Sequence, residues 1–258
     1  MPNLSKKLDR QLRQAIAHFW RARGDQSARQ GLESDADRGD RRAVTGGKHL
    51  DGFLELLATL LQEAGLERSH IYWHKNTELP GWYRAEKNWD LLVVADSRLI
   101  AVIEFKSQVG SFGNNFNNRS EEAMGSATDL WAAYENGAFQ PSERPWLGYF
   151  MLLEDSTKVL KSVKVRQPHF KVFPQFTTAS YLERYSQLLM RMLRTRLYDS
   201  ACLLLSPRDR GLSGEYREPN PELNFTKFIA SLFAKAASVA QTQPPGPTAP
   251  PAIEQPST

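Results

Sequence analysis

The chain has 258 residues, with 33 Lys plus Arg against 29 Asp plus Glu, a net charge of +4, 41% hydrophobic and 24% charged residues. That balance excludes disorder throughout, and a single cysteine, Cys202, excludes an intramolecular disulfide framework and a Cys-rich zinc site. No apolar run reaches the length of a membrane span and the first residues do not read as a signal peptide, so the expected home is a reducing cytoplasm, and the mild positive charge permits an anionic partner without demanding one.

In chain order, Leu4, Leu8, Leu12, Ala15, Ile16, Phe19 and Trp20 recur at helical spacing and predict a helix over 4–23. Residues 21–45 hold 11 charges and three glycines, and read as a flexible loop able to order on a ligand. Gly46-Gly47 opens a second helix, Lys48 to Ala64, with Leu50, Phe53, Leu54, Leu57, Leu60 and Leu61 on its buried face. Ile71-Tyr72-Trp73 begins an extended segment that breaks at Pro80-Gly81. Trp89–Val94 and Leu99–Phe105 then predict adjacent antiparallel strands joined at Asp96-Ser97-Arg98. Gly110–Asn118 reads as a Gly/Asn loop, after which Asn118 is expected to cap a helix with Glu121 in a capping box, burying Met124, Ala127, Leu130, Trp131 and Tyr134. Trp146–Leu153 is a further strand, and 155–175 are expected as basic loops. Two amphipathic helices follow, one over Tyr181–Leu193 and one over Leu223–Phe233. The last 18 residues, 241–258, hold six prolines and are expected to be a disordered tail. The succession implies an α/β fold, a mixed central sheet flanked by helices.

One acidic residue stands two before a lysine, in Glu104-Phe105-Lys106. Chance supplies about one such triplet, so its placement carries the signal: it closes an apolar run where a buried strand should not hold two charges. At i and i+2 the two side chains leave one face of a strand. Asp90 begins the preceding strand, so both acids can meet beside Lys106. Asp90, Glu104 and the Phe105 carbonyl would make a hard-oxygen site for Mg²⁺, with Lys106 assisting the attacking water. The competing reading is a solvated ion pair at an exposed strand end. Sharing a face requires Asp90 to pair with Glu104, so that paired residue numbers sum to 194 and Ala95 faces Leu99. That register predicts a three-residue or bulged turn, because a plain two-residue loop would turn Glu104 away.

These residues resemble the catalytic signature of the PD-(D/E)xK nuclease superfamily, with Trp89 in place of the proline that often precedes the first acid. Val44–Lys48, Asp51–Leu54, Ser107–Gly110, Ser111–Arg119 and Ala127–Trp131 more closely resemble XhoI-type restriction endonucleases, over most of the chain outside the proline-rich tail. The resemblance implies a restriction-endonuclease-like core with additional C-terminal helices, and a Mg²⁺-dependent homodimeric type II enzyme. It further implies cutting of double-stranded CTCGAG after the first C to leave four-base 5′ overhangs, alongside a cognate DNA methyltransferase. One endonuclease domain would then span 1–240, with its core at about 46–155 and a helical part at about 178–240. The rival readings are another nuclease of that superfamily, for repair or junction resolution, and an inactive DNA-binding protein.

Glu55, or Asp51 one turn earlier, could add an acid to the metal site, or either could be a helix-surface charge. His70 and His74 have a zinc-like spacing on a segment that does not read as helical, and no phosphate loop for ATP is present. Asn114, Asn115, Asn117, Asn118 and Arg119, with Lys48, are candidate DNA contacts, since Asn and Arg match adenine and guanine edges. Lys158, Lys161, Lys164, Arg166 and Lys171 are either solvated surface or a phosphate-positioning patch.

Overall fold

A computed structural model describes residues 5–30 and 48–240 of the chain. The proline-rich tail and residues 31–47, including most of the expected charged loop, lie outside the described residues.

Five strands form the main sheet: β1 (Ile71–Tyr72), β4 (Leu91–Ala95), β5 (Arg98–Gln108), β6 (Trp146–Glu154) and β7 (Ser200–Ser206), in that spatial order. β4 runs antiparallel to both β1 and β5, while β5, β6 and β7 are parallel, so the sheet is mixed as expected. β2 (Glu78–Pro80) and β3 (Glu86–Asn88) make a separate two-stranded ribbon. One face of the main sheet packs on α1 (Lys6–Gln30), α2 (Asp51–Glu63) and α5 (Phe225–Ala240) through Val93, Ile103, Phe105, Phe150 and Leu204. The other packs on α3 (Phe112–Glu135) and α4 (Tyr181–Arg194) through Leu92, Val102, Tyr149, Met151 and Leu203. Helices on both faces explain why β6 and β7 read as unbroken apolar runs. β7 was not expected from the sequence; its Ala201–Leu205 run is all apolar but lies between two stronger helical patterns.

Parts of three expected loops are helical: 21–30, 112–118 and, within the expected basic loop 155–175, the short helix Thr157–Leu160. α1 continues past residue 21 to Gln30. Arg, Ala and Gln are good helix formers, and the single Gly24 costs only about 1 kcal/mol, so the helix runs on through 21–30. Arg21 turns back to donate to the Ala17 carbonyl, and the Arg23 guanidinium lies 5.8 Å from the Phe19 ring. α3 starts at Phe112, with Ser111 at the N-cap position in the left-handed region and making no side-chain cap bond, so Asn118 is interior to the helix and is not its cap. Phe112 and Phe116, one turn apart, stack on α4, at 5.9 Å from Tyr181 and 5.0 Å from Tyr185. This packing overrides the weak helix propensity of Gly113 and the asparagines. Within α3, Met124 is exposed, not buried as expected; Ala123, Ala127 and Leu130 face the sheet, with Trp131 and Tyr134 half-buried.

The β4–β5 register bears directly on the site. Leu91, Leu92 and Val93 pair with Ile103, Val102 and Ala101, each pair summing to 194, so the register required of Asp90 and Glu104 is present. The turn is not the expected three-residue loop: Ala95 pairs with Arg98, leaving two turn residues, Asp96 and Ser97, with φ of 50° and 59°. The register is restored by a bulge at Ile100, inside the strand and not at its turn.

Candidate active site

β5 ends its apolar run by delivering Glu104 and Lys106 to the face covered by α3, while Phe105 points the other way into the aromatic core. Glu104 is only 4% exposed. Its carboxylate is bonded to the Lys106 ammonium and, at 2.9 Å, to Lys87 Nζ. Asp90 stands just before β4; its Oδ2 accepts the Phe105 amide at 2.7 Å and lies 3.9 Å from Lys106 Nζ. The fold thus gathers two carboxylates and one lysine, as the sequence predicted, and adds a second lysine.

Their electrostatics are those of a crowded, buried cluster. Burial and, next, the neighbouring Glu104 charge push Asp90 up to about 6. Burial also opposes charge on Glu104, but Lys106 and Lys87 together outweigh it and hold that carboxyl below its usual range. Burial tends to lower Lys106, yet Glu104 and Asp90 prevail and raise it, so the lysine is protonated at neutral pH. Flanking cations, and for Asp90 the Phe105 amide, keep the two carboxylates together.

Lys87 escaped the sequence reading. It sits on β3, its neighbours Glu86 and Asn88 face solvent, and its ammonium lies 4.1 Å from the Trp89 ring. Only the alternation along three residues distinguished it, too short a run to read. Tyr149, opposite Glu104 on β6 and fully buried, was likewise unforeseen.

The expected DNA contacts divide. Arg119 falls on the inward stripe of α3 with Phe112, Phe116 and Ala123; it pairs with Glu122 at 2.6 Å, and its buried Nε meets no hydrogen-bond partner among the described residues. Its charge is felt at Lys106. Asn117 and Asn118 are exposed and Asn115 half-buried, all on the helix; the side chain of Asn114 lies outside the described residues. Lys48 is exposed, its carbonyl 3.3 Å from His18 Nε2. Glu55 lines a cavity between α1 and α2 with His18, Arg21 and Asp25, and Asp51 lies 3.6 Å from His74. Neither is bonded to the Asp90–Glu104–Lys106 cluster. His70 faces Glu67 at 4.0 Å, so the two histidines diverge. Among the described residues, no group of three or more His, Cys, Asp or Glu side chains is assembled at metal-binding spacing, and no helix is long and apolar enough to cross a membrane. Lys158, Lys161 and Lys164 line one open cavity with Ser111, Gly113 and Tyr181.

Next to the cluster, His49 is buried against Phe19, 3.2 Å from Ser107 Oγ. Burial, reinforced by Arg23 and Arg119, lowers it from 6.5 to about 4. The folded protein therefore refuses a proton that the unfolded chain takes up below pH 6.5, and stability is lost as pH falls from there toward 4, by about 1.4 kcal/mol per unit. Urea unfolding at pH 7 and pH 5 should show His49→Gln removing about 2 kcal/mol of the difference between them. An unchanged difference would assign the acid sensitivity elsewhere.

Comparison with known proteins gives concordant matches. The family model described as restriction endonuclease XhoI matches residues 29–218. The chain is 47% identical over 213 residues to the type II restriction enzyme BstVI of Geobacillus stearothermophilus, covering 80% of this chain and 95% of that one. It is 40% identical over 220 residues to the type II restriction enzyme XhoI of Xanthomonas vasicola, covering 82% and 87%. It is 44% identical over 165 residues to the type II restriction enzyme AbrI of Azospirillum brasilense, covering 63% and 74%. No solved structure matches.

Proposed function

Since the chain belongs to the XhoI restriction endonuclease family, and is thus a type II site-specific deoxyribonuclease acting on DNA with a divalent metal ion, we propose that Asp90, Glu104 and Lys106 form its active site and that its target is double-stranded CTCGAG, cut after the first C in the presence of Mg²⁺. The observation that carries the site assignment is the meeting of a buried and a half-buried carboxylate at one lysine, on the face next to α3. Its donor set fits the metal: Asp90, Glu104 and the Phe105 carbonyl offer hard oxygens, which Mg²⁺ prefers, and which soft-metal sites lack.

When bound there, Mg²⁺ would supply a Lewis acid for the phosphoryl oxygen and an acidified water. The chain's own residues do the rest. Lys106 stands where it can orient the attacking water and offset charge on the pentacovalent transition state. Asp90, fixed by the Phe105 amide, holds its carboxylate against β5. Lys87 shares Glu104 with Lys106 and steadies its orientation. We assign Arg119 to the phosphate, Asn114, Asn115, Asn117, Asn118 and Lys48 to outer DNA contacts, and Lys158, Lys161 and Lys164 to a phosphate track alongside. Glu55, lying in the α1–α2 cavity, is left out of the metal site.

A palindrome cut symmetrically calls for two equivalent sites about a two-fold axis, so the acting form is a homodimer. Such an enzyme works in the cytoplasm against foreign DNA, while a methyltransferase of matching specificity protects the host. α4 buries Tyr185, Leu189 and Met192 inside the monomer, which favours a core role over the dimer interface for that helix.

Digestion of unmethylated DNA of known sequence with Mg²⁺ tests the proposal. Discrete fragments bounded by CTCGAG are expected; smearing would favour a repair or junction nuclease, and no cleavage an inactive DNA-binding protein. Sedimentation at micromolar concentration with a CTCGAG duplex should give two chains per duplex, and a 1:1 complex at saturation contradicts the dimer.

A further inference from the structure

The β2–β3 ribbon presents two aromatic side chains to solvent at its tip, Trp82 at 54% exposure and Tyr83 at 73%. A two-stranded ribbon this short is marginal by itself. Here the tip is fixed by a buried charge. Asp129, on α3, accepts the Trp82 and Tyr83 amides on Oδ1 at 2.8 and 2.7 Å, and Arg84 Nε on Oδ2 at 2.8 Å. Gly81 passes so near that a Cβ there would lie 2.5 Å from Asp129 Oδ2. A side chain buried to 3% exposure thus holds in place the backbone that carries these exposed aromatics, which is pre-organisation for a partner. At the other end of the ribbon, Lys87 is bonded to Glu104.

The geometry points to duplex DNA as that partner, with the β2–β3 tip as a sequence-reading probe that enters the major groove and packs Trp82 and Tyr83 on apolar base edges, the thymine methyl group foremost. This rests on the active-site reading above, because the ribbon is rooted in that cluster. A major groove about 12 Å wide admits a two-stranded ribbon, and the thymine methyl is its one apolar group. The loop 81–85 folds back on itself, the Gly81 amide donating to the Ala85 carbonyl and Pro80 pairing with Glu86, so the tip stands about three residues beyond Lys87, a reach of roughly 10 Å. Half of a six-base-pair site spans about 10 Å, so a tip anchored at the cut position reaches bases within the site or at its flank. Glu78 and Glu86 face outward along the ribbon and would be repelled by phosphates, which favours an end-on approach by the tip.

Anisotropy of a labelled CTCGAG duplex, with Ca²⁺ replacing Mg²⁺ to follow binding apart from cutting, tests this. The double variant Trp82→Ala/Tyr83→Ala should bind roughly tenfold or more weakly, with Trp82→Phe/Tyr83→Phe recovering most of the loss. Uracil in place of the site's thymines should weaken the wild type severalfold and the double alanine variant not at all. The inference is overturned if the alanine variant binds the duplex with wild-type affinity, if it weakens an unrelated duplex equally, or if it converts a DNA-free dimer to monomers, which would make the tip a contact between copies. Wild-type protein indifferent to CTCGAG would instead overturn the proposed target, and with it this use of the tip; normal wild-type recognition with an indifferent tip sinks the inference alone.

Discussion

Glu104→Ala is expected to abolish DNA cleavage, by roughly a thousandfold or more, about 4 kcal/mol of transition-state stabilisation, while leaving duplex binding in place. Glu104 is the acid that both lysines hold, and it sits at 4% exposure, so removing it takes the proposed metal donor and the anchor of Lys106 at once. Asp90→Ala should match it in cleavage. Binding should survive or tighten, because each variant removes a negative charge that repels phosphate. Lys106→Ala should also lose cleavage but keep the carboxylate pair for a metal. Gel assays of cleavage with Mg²⁺, paired with anisotropy in Ca²⁺, separate the two effects. A Glu104→Ala protein cutting at the wild-type rate would mean that the active site lies elsewhere.

The second large effect concerns the support under that site. Phe150 on β6 is 1% exposed, with ring centroids at 4.9 Å from Phe105, 5.0 Å from Phe53 and 5.9 Å from Phe228. Phe150→Ala should cost about 3–5 kcal/mol, the transfer free energy of the ring plus the cavity left among these neighbours. Against a typical total of about 5–15 kcal/mol, that is enough to unfold a marginal domain near physiological temperature. The loss bears on activity too, because Phe105 lies between Glu104 and Lys106 and its ring is seated on Phe150. Phe150→Leu, which refills most of the cavity, should recover much of the stability in urea titration. A loss under 1 kcal/mol for the alanine variant would show that the aromatic cluster repacks freely.

Much of this could be read along the chain wherever the signal was local and periodic. The Glu104-Phe105-Lys106 spacing, the acid at Asp90 and two apolar strands with short polar ends were enough to place both acids on one face, and the shared register follows. The amphipathic stripe of α4 was equally legible, because its apolar residues recur every three to four positions and nothing competes with them. Tertiary contacts decided the rest. Gly113 and the asparagines of 114–118 favour a turn by their own propensity, yet Phe112 and Phe116 bury against Tyr181 and Tyr185 and carry the helix through them. The bulge at Ile100 and the two-residue turn are a compromise between sheet register and loop geometry, which neither strand expresses alone. Lys87 reaches Glu104 across 17 positions, and Asp129 holds the Trp82–Tyr83 tip across more than 40, because burying a carboxylate demands partners that only the folded chain supplies. The residue types of the site are therefore a property of the sequence, while its second lysine and the fixed ribbon tip arise only where distant segments satisfy one another's buried charges.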